Sequence, residues 1–185
     1  MKRCAPIVKQ RPDRLAKLLL LDALIAPIDK HLRRTGLQER EEAALIAGFI
    51  VGEDIGLGTT ALLPHTENSM VSCTIPLDVT IECVEAMHRA GQVLLAQAHS
   101  HPGSLIGHSD VDDGGAFSEC PGVFSIVVPQ FGRYGLRRLL KRGVGIHERI
   151  PEGCWRELPK AEVRKRFAIV RSYYKILESR DERMT

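Results

Sequence analysis

Residues 43–52 read Ala43-Ala44-Leu45-Ile46-Ala47-Gly48-Phe49-Ile50-Val51-Gly52, an almost unbroken apolar run. A strand with one wet face alternates apolar and polar residues, whereas a continuous apolar strand has to be covered on both faces. A second run, Val93-Leu94-Leu95-Ala96, reads as another buried strand, ending at His99. Strands of this kind, mixed with helical segments, imply an α/β (α+β) architecture: a central mixed sheet flanked by helices. Leu18-Leu19-Leu20-Leu21 predicts a strand, with a helix over 15–25 as the alternative. Pro27 suits a first helical position, which predicts a helix from Ala26–Pro27 to Thr35, stopped by Gly36. Gly56-Leu57-Gly58 predicts a turn, and Thr59 to Pro64 a strand pairing with the long run. Pro76-Leu77-Asp78 opens a helix to Ala90, and a second helix is expected from Ser109 to about Glu119. Val123 to Val128, Val144 to Ile150 and Cys154 to Leu158 read as strands. From Lys160, the spacing of Val163, Phe167, Val170, Tyr174 and Leu177 predicts an amphipathic C-terminal helix over 160–180. No linker divides the chain, so residues 1–185 are expected to form one domain with its core at about 16–158.

Composition narrows the class. Apolar content of 44% and charged content of 26% are those of an ordinary soluble globular chain. The net charge of +3 is too small to argue for nucleic acid. The five cysteines are odd in number and contain no C-x-x-C pair. That speaks against a disulfide framework or a cysteine-built zinc site, and fits a reducing cytoplasm. Lys17 and Asp22 flank the leucine run, so neither a signal peptide nor a membrane span is expected. Arg133, Arg137, Arg138, Lys141 and Arg142, with Arg164, Lys165 and Arg166, form basic stretches. Such runs are usually solvated faces; the alternative is a dock for an acidic partner surface.

The chemistry concentrates in His99-x-His101, followed after ten residues by Asp112, with Ser109 three positions ahead of it. Two imidazoles and a carboxylate suit zinc, and catalytic zinc sites use three protein ligands. Strand residues i and i+2 share a face, so both histidines can reach one ion. Pro102-Gly103 then turns the chain. Ser109-x-x-Asp112 is also the pattern of a helix cap, and each piece alone has a bland reading. Their combination at this spacing is specific.

H-x-H-P followed by S-x-x-D resembles the JAMM (MPN-domain) metalloproteases, which hydrolyse isopeptide or peptide bonds after ubiquitin or ubiquitin-like proteins. That family places a glutamate seven positions before a glycine at the start of an early strand. Glu41 and Gly48 match, with Ala44 where glycine is usual, and Glu42 is the alternative. Leu94 to Gly103 and Phe124 to Pro129 are similar to the bacterial branch. Some of its members are encoded beside ubiquitin-like proteins and their activating-enzyme-like and conjugating-enzyme-like partners in anti-phage operons, where they act as deconjugases.

The resemblance implies an MPN-like fold, related in its layers to the cytidine deaminases. It also implies one catalytic zinc on His99, His101 and Asp112, a general base at Glu41, and oxyanion stabilisation by Ser109. The implied partner is a ubiquitin-like protein or its conjugates, with no nucleic acid and no membrane. Zinc nucleobase deaminases need H-x-E and P-C-x-x-C; here the residue two after His99 is His101, the residue two after His101 is Gly103, and no P-C-x-x-C exists. A non-catalytic scaffold would not need the three ligands that are present. A role in DNA metabolism, as in another bacterial branch, finds no support in the weak net charge. His108 reads as a loop or rim residue, His65, His88 and His147 as structural or surface groups, and Trp155 as core.

Overall fold

The computed structural model describes residues 12–114, 117–118, 120–138 and 143–171. Among the described residues ten strands and four α-helices follow one another: β1 (Lys17–Leu21), α1 (Asp22–Gly36), β2 (Ala43–Val51), β3 (Ile55–Leu62), β4 (Glu67–Asn68), β5 (Cys73–Thr74), α2 (Leu77–Arg89), β6 (Val93–Ser100), α3 (Asp110–Gly114), β7 (Phe124–Val128), β8 (Gly145–Arg149), β9 (Trp155–Glu157), α4 (Lys160–Arg166) and β10 (Phe167–Val170). Eight strands make one mixed sheet in the order β10-β1-β3-β2-β6-β7-β8-β9, and β4 and β5 form a separate pair.

The long apolar runs became the two central strands, and their alternation sorts two cores. Ala44, Ile46, Ala96 and Ala98 pack with Leu24, Ile25, Ile28 and Leu32 of α1. Leu45, Ala47 and Leu94 pack on the other face with Cys83 and Met87 of α2. No described helix is long and apolar enough to cross a membrane.

Four expectations are corrected. Helix α1 begins at Asp22, leaving Pro27 inside it. Proline in a helix interior costs about 3 kcal/mol. Starting the helix early puts Leu24 and Ile25 into the core at 8% and 1% exposure, and burying such side chains gains about 1.5–3 kcal/mol each. Gly56-Leu57-Gly58 is not a turn but the middle of β3. Its glycines make room for core side chains: a Cβ on Gly58 would lie 2.8 Å from Leu20 Cδ2. The helix expected over 109–119 spans only Asp110–Gly114, and Glu119 lies outside the described residues.

The C-terminal helix is also shorter than its periodicity suggests. Helix α4 stops at Arg166, and Phe167–Val170 pairs with β1 as a parallel strand, Leu18 opposite Phe167 and Leu20 opposite Ile169. The apolar spacing of Phe167 and Val170 fits a helix, but the open edge of β1 takes them as a strand. Phe167 stacks edge-on to Phe124 with ring centroids 4.7 Å apart. Tyr174 and Leu177 lie outside the described residues.

Arg166, counted by sequence among the basic stretches, is 6% exposed. It donates to both Glu148 oxygens, to Glu162 Oε1 at 2.8 Å and to the Leu15 carbonyl. Arg156 completes the network with 2.8 Å bonds to Glu148 and Glu162. This buried ionic knot ties α4 to β8, β9 and the residues ahead of β1.

Candidate metal centre

Strand β6 delivers His99 at its end, and the chain past it stays fixed on both sides. Ser100 N donates to the Glu42 carbonyl at 3.0 Å, His101 N to the Val128 carbonyl at 2.9 Å, and Phe131 N to the His101 carbonyl at 2.7 Å. His99 and His101 are both buried. Their Nε2 atoms lie 3.1 Å apart. Asp112, carried back by α3, brings Oδ1 to 3.3 Å from His99 Nε2 and Oδ2 to 3.2 Å from His101 Nε2. The three side chains form one potential metal-binding group.

These distances fit a small divalent ion. Tetrahedral bonds of about 2.1 Å place ligand atoms about 3.4 Å apart; the two Nε2 atoms are 3.1 Å apart, each faces a different Asp112 oxygen, and one atom from each residue falls within 4.8 Å of the others. Two imidazoles and one carboxylate make a donor set of the kind that catalytic zinc sites use. The Leu105 backbone bonds the His101 ring, which orients Nε2 toward the centre.

Ser109 holds the carboxylate in place. Its N–H and hydroxyl both donate to Asp112 Oδ2, at 2.7 and 2.8 Å, and Asp112 N returns a 3.2 Å bond to the hydroxyl. Burial works against the Asp112 charge, but bonds from His101, His99 and Ser109 hold its carboxyl well below the usual range. Burial also lowers the His101 pKa, yet Asp112 and Glu41 together outweigh it and leave that pKa raised.

The two adjacent glutamates part company through strand register. Strands β2 and β6 are antiparallel, with Ala43 opposite His99 and Ala44 opposite Ala98. Extending that register sets Glu41 across from His101 and Glu42 across from Ser100. Glu42 therefore points to the α1 face, where Oε1 accepts from Thr66 Oγ1 at 2.5 Å and from Ala43 N at 3.0 Å. His31 of α1 lies 3.6 Å away. Although burial opposes it, these bonds lower the Glu42 pKa.

Glu41 shares the metal face and is 5% exposed. Burial, the largest influence, pushes its carboxyl up to about 7, with His101 pulling down and Asp112 adding to the rise. Glu41 and Asp112 line a cavity of about 80 Å3 with His99, Leu45, Ile75 and Phe117. Both also line a cleft of about 340 Å3 with His101, Gly103, Leu105 and Ser109. The cluster thus stands between a small recess of mixed polar and apolar lining and a larger cleft.

A search of curated proteins found the probable metalloprotease y4jG of Sinorhizobium fredii, 32% identical over 112 residues, which cover 59% of this chain and 68% of that protein. The chain belongs to the family of this probable metalloprotease. Membership and the His99–His101–Asp112 cluster together support a peptidase-type hydrolase with a bound metal ion. The solution structure of protein DSY2949 from Desulfitobacterium hafniense matches with a TM-score of 0.59 at 17% identity, covering 84% of this chain and 94% of that one. That likeness concerns the fold alone. A scan against family models matched none.

Cys73 lines the recess beside Glu41, and burial pushes its thiol up to about 12, which keeps it from acting as a thiolate. Cys120 is exposed. His147, read as structural or surface, is buried against His108, and burial pulls its pKa down to about 4. Sequence reading missed the contact His108 makes with that group. No local pattern signals it, because His147 arrives from a strand 39 positions later in the chain.

Proposed function

We propose that the chain is a zinc-dependent isopeptidase or peptidase of the JAMM type, which removes a ubiquitin-like modifier from its targets or trims the modifier's C-terminus. The observation that carries this reading is the His99–His101–Asp112 group, with Glu41 lining one cleft beside His101 and Asp112. Relationship to a probable metalloprotease supports the peptidase half of it. The modifier, and a setting beside activating-enzyme-like and conjugating-enzyme-like proteins in anti-phage defence, rest on the sequence resemblance.

Zinc held by these side chains supplies Lewis acidity, making a water molecule more acidic and polarising the scissile carbonyl. Glu41 is the group that moves the proton. A carboxyl whose pKa stands at about 7 can accept a proton from the attacking water and hand it to the departing amine. Ser109 serves Asp112 first. When its hydroxyl turns toward a developing oxyanion, the Ser109 N–H stays on Asp112 and keeps the ligand oriented.

The test is hydrolysis of a ubiquitin-like modifier joined through its C-terminus to a lysine side chain, using the modifier encoded nearest to this chain. Wild type is expected to release the modifier, a chelator to stop release, and added zinc to restore it. Failure to cleave that conjugate at stoichiometric enzyme would sink the deconjugase reading.

A further inference from the structure

The loop that carries Ser109 and Asp112 hangs largely in solvent. Pro102 to Leu105, Gly107, Ser109 and Asp110 are all exposed. His108 is the exception, with only 6% of its side chain exposed. Its ring packs 5.6 Å from that of the ligand His99, 4.4 Å from His147 on β8, and 4.9 Å from Trp155 on β9. Nδ1 lies 3.0 Å from Asp113 Oδ1, the residue after the ligand Asp112. The Nε2 atom has no partner among the described residues, so stacking and the Asp113 bond are what hold the ring.

Residues 108–113 form a closed unit. Ser109 bonds Asp112 twice, and Asp113 N donates to the Ser109 carbonyl at 3.1 Å. His108 closes the unit through Asp113 and also plugs it into the sheet. A second close approach lies just upstream: a Cβ on Gly145 of β8 would fall 1.9 Å from the Ile106 carbonyl oxygen. Only a glycine there lets the loop come so near the sheet.

We propose that His108 is a positioning residue for the metal centre, docking the Ser109–Asp112 unit against His99, His147 and Trp155 so that the Asp112 carboxylate meets the two histidines. This rests on the metal-centre reading above. His108 also lines the cleft beside Ser109 and Asp112, and the role assigned to it is to act on the centre through Asp112 and His99.

The test is zinc affinity of the metal-stripped full chain, measured by competition with a chromogenic chelator, and the visible spectrum after loading with cobalt. His108→Ala is expected to weaken zinc binding about 10–100-fold, the range typical when a group that orients a ligand is removed. His108→Phe keeps the stacked ring and is expected to recover most of that affinity. Asp113→Ala removes the hydrogen bond, along with one nearby negative charge, but keeps the packed ring and should give a smaller loss. Its side chain is 49% exposed, so this variant tests the idea even if His108→Ala does not fold. The cobalt bands are expected to shift in His108→Ala, which a merely structural role would not produce.

Zinc affinity within about two-fold of wild type in both His108→Ala and Asp113→Ala, with unchanged cobalt bands, would overturn the proposal. A wild-type chain that binds no metal at all would overturn the metal centre itself, and this role with it.

Discussion

Replacing Glu41 by Gln is expected to lower kcat by about 10²–10⁴-fold, the usual weight of a positioned general base, with zinc still bound and KM little changed. The reason is geometric. The register that sets Ala43 opposite His99 places Glu41 across from His101, while Glu42 turns to the other face and is bonded by Thr66 and Ala43 N. Glu42→Ala should therefore affect folding more than chemistry. It strands the Thr66 hydroxyl and loses buried hydrogen bonds, costing about 1–3 kcal/mol, while kcat of the folded fraction stays near wild type. The pH profile adds an independent check. Burial pushes the Glu41 carboxyl up to about 7, and a base works ionised, so the rate should rise as pH climbs through that pKa. A bound cation favours the ionised form and moves this limb to lower pH. In Glu41→Gln the limb should disappear. If Glu42→Ala instead abolished turnover and Glu41→Gln did not, the assignment of the base would be wrong.

The second large effect concerns stability. Arg166→Met is expected to destabilise the fold by about 3–5 kcal/mol, the range for breaking a buried ion pair by removing one partner. Glu148, 2% exposed, would lose the guanidinium that binds both its oxygens. Arg156, at 2.8 Å from Oε2, still attends it and should hold the loss toward the lower end. The double variant Arg166→Met/Glu148→Met is expected to recover part of the loss, because no buried carboxylate is then left short of a partner. The acid limb follows the same charges. Burial raises the Glu148 pKa, but bonds from Arg166 and Arg156 outweigh it and leave it lowered. Glu162 is pulled down to about 2, chiefly by its bond from Arg156. A carboxyl with a depressed folded pKa stabilises above its unfolded pKa, and that stability is lost as pH falls through the folded value. Wild type should thus lose stability from about pH 4.5 down toward pH 2, and Arg166→Met more shallowly. Urea titrations at several pH values read both effects as shifts in midpoint. A variant as stable as wild type at pH 7 would show that the knot contributes nothing.

What could be read from the sequence follows the reach of the signals. The apolar runs at 43–51 and 93–96 are local, and a continuous run has few ways to be buried, so these strands were legible, whereas the leucine run at 18–21 left a helix over 15–25 open. The spacing from His99 to Asp112 lies within one strand, one loop and one short helix, so their meeting could be anticipated from neighbouring residues. Other features depend on distant parts of the chain. The spacing to Gly48 favours Glu41 over Glu42, but only the register that β6 imposes on β2 puts the two side chains on opposite faces. Phe167 and Val170 fit a helical stripe, and only the open edge of β1 turns them into a strand. Pro27 looks like a helix start because the burial of Leu24 and Ile25 ahead of it is a tertiary effect. His108 reads as a rim residue for the same reason, since His147 and Trp155 reach it only after β8 and β9 have paired.

The most direct measurement for the metal centre is zinc stoichiometry. Metal-stripped chain, dialysed against zinc and washed, is expected to retain about one ion per chain, and the His99→Ala/His101→Ala double variant to retain none while keeping its secondary structure. No zinc on wild type, or equal zinc on the double variant, would contradict a centre built from His99, His101 and Asp112.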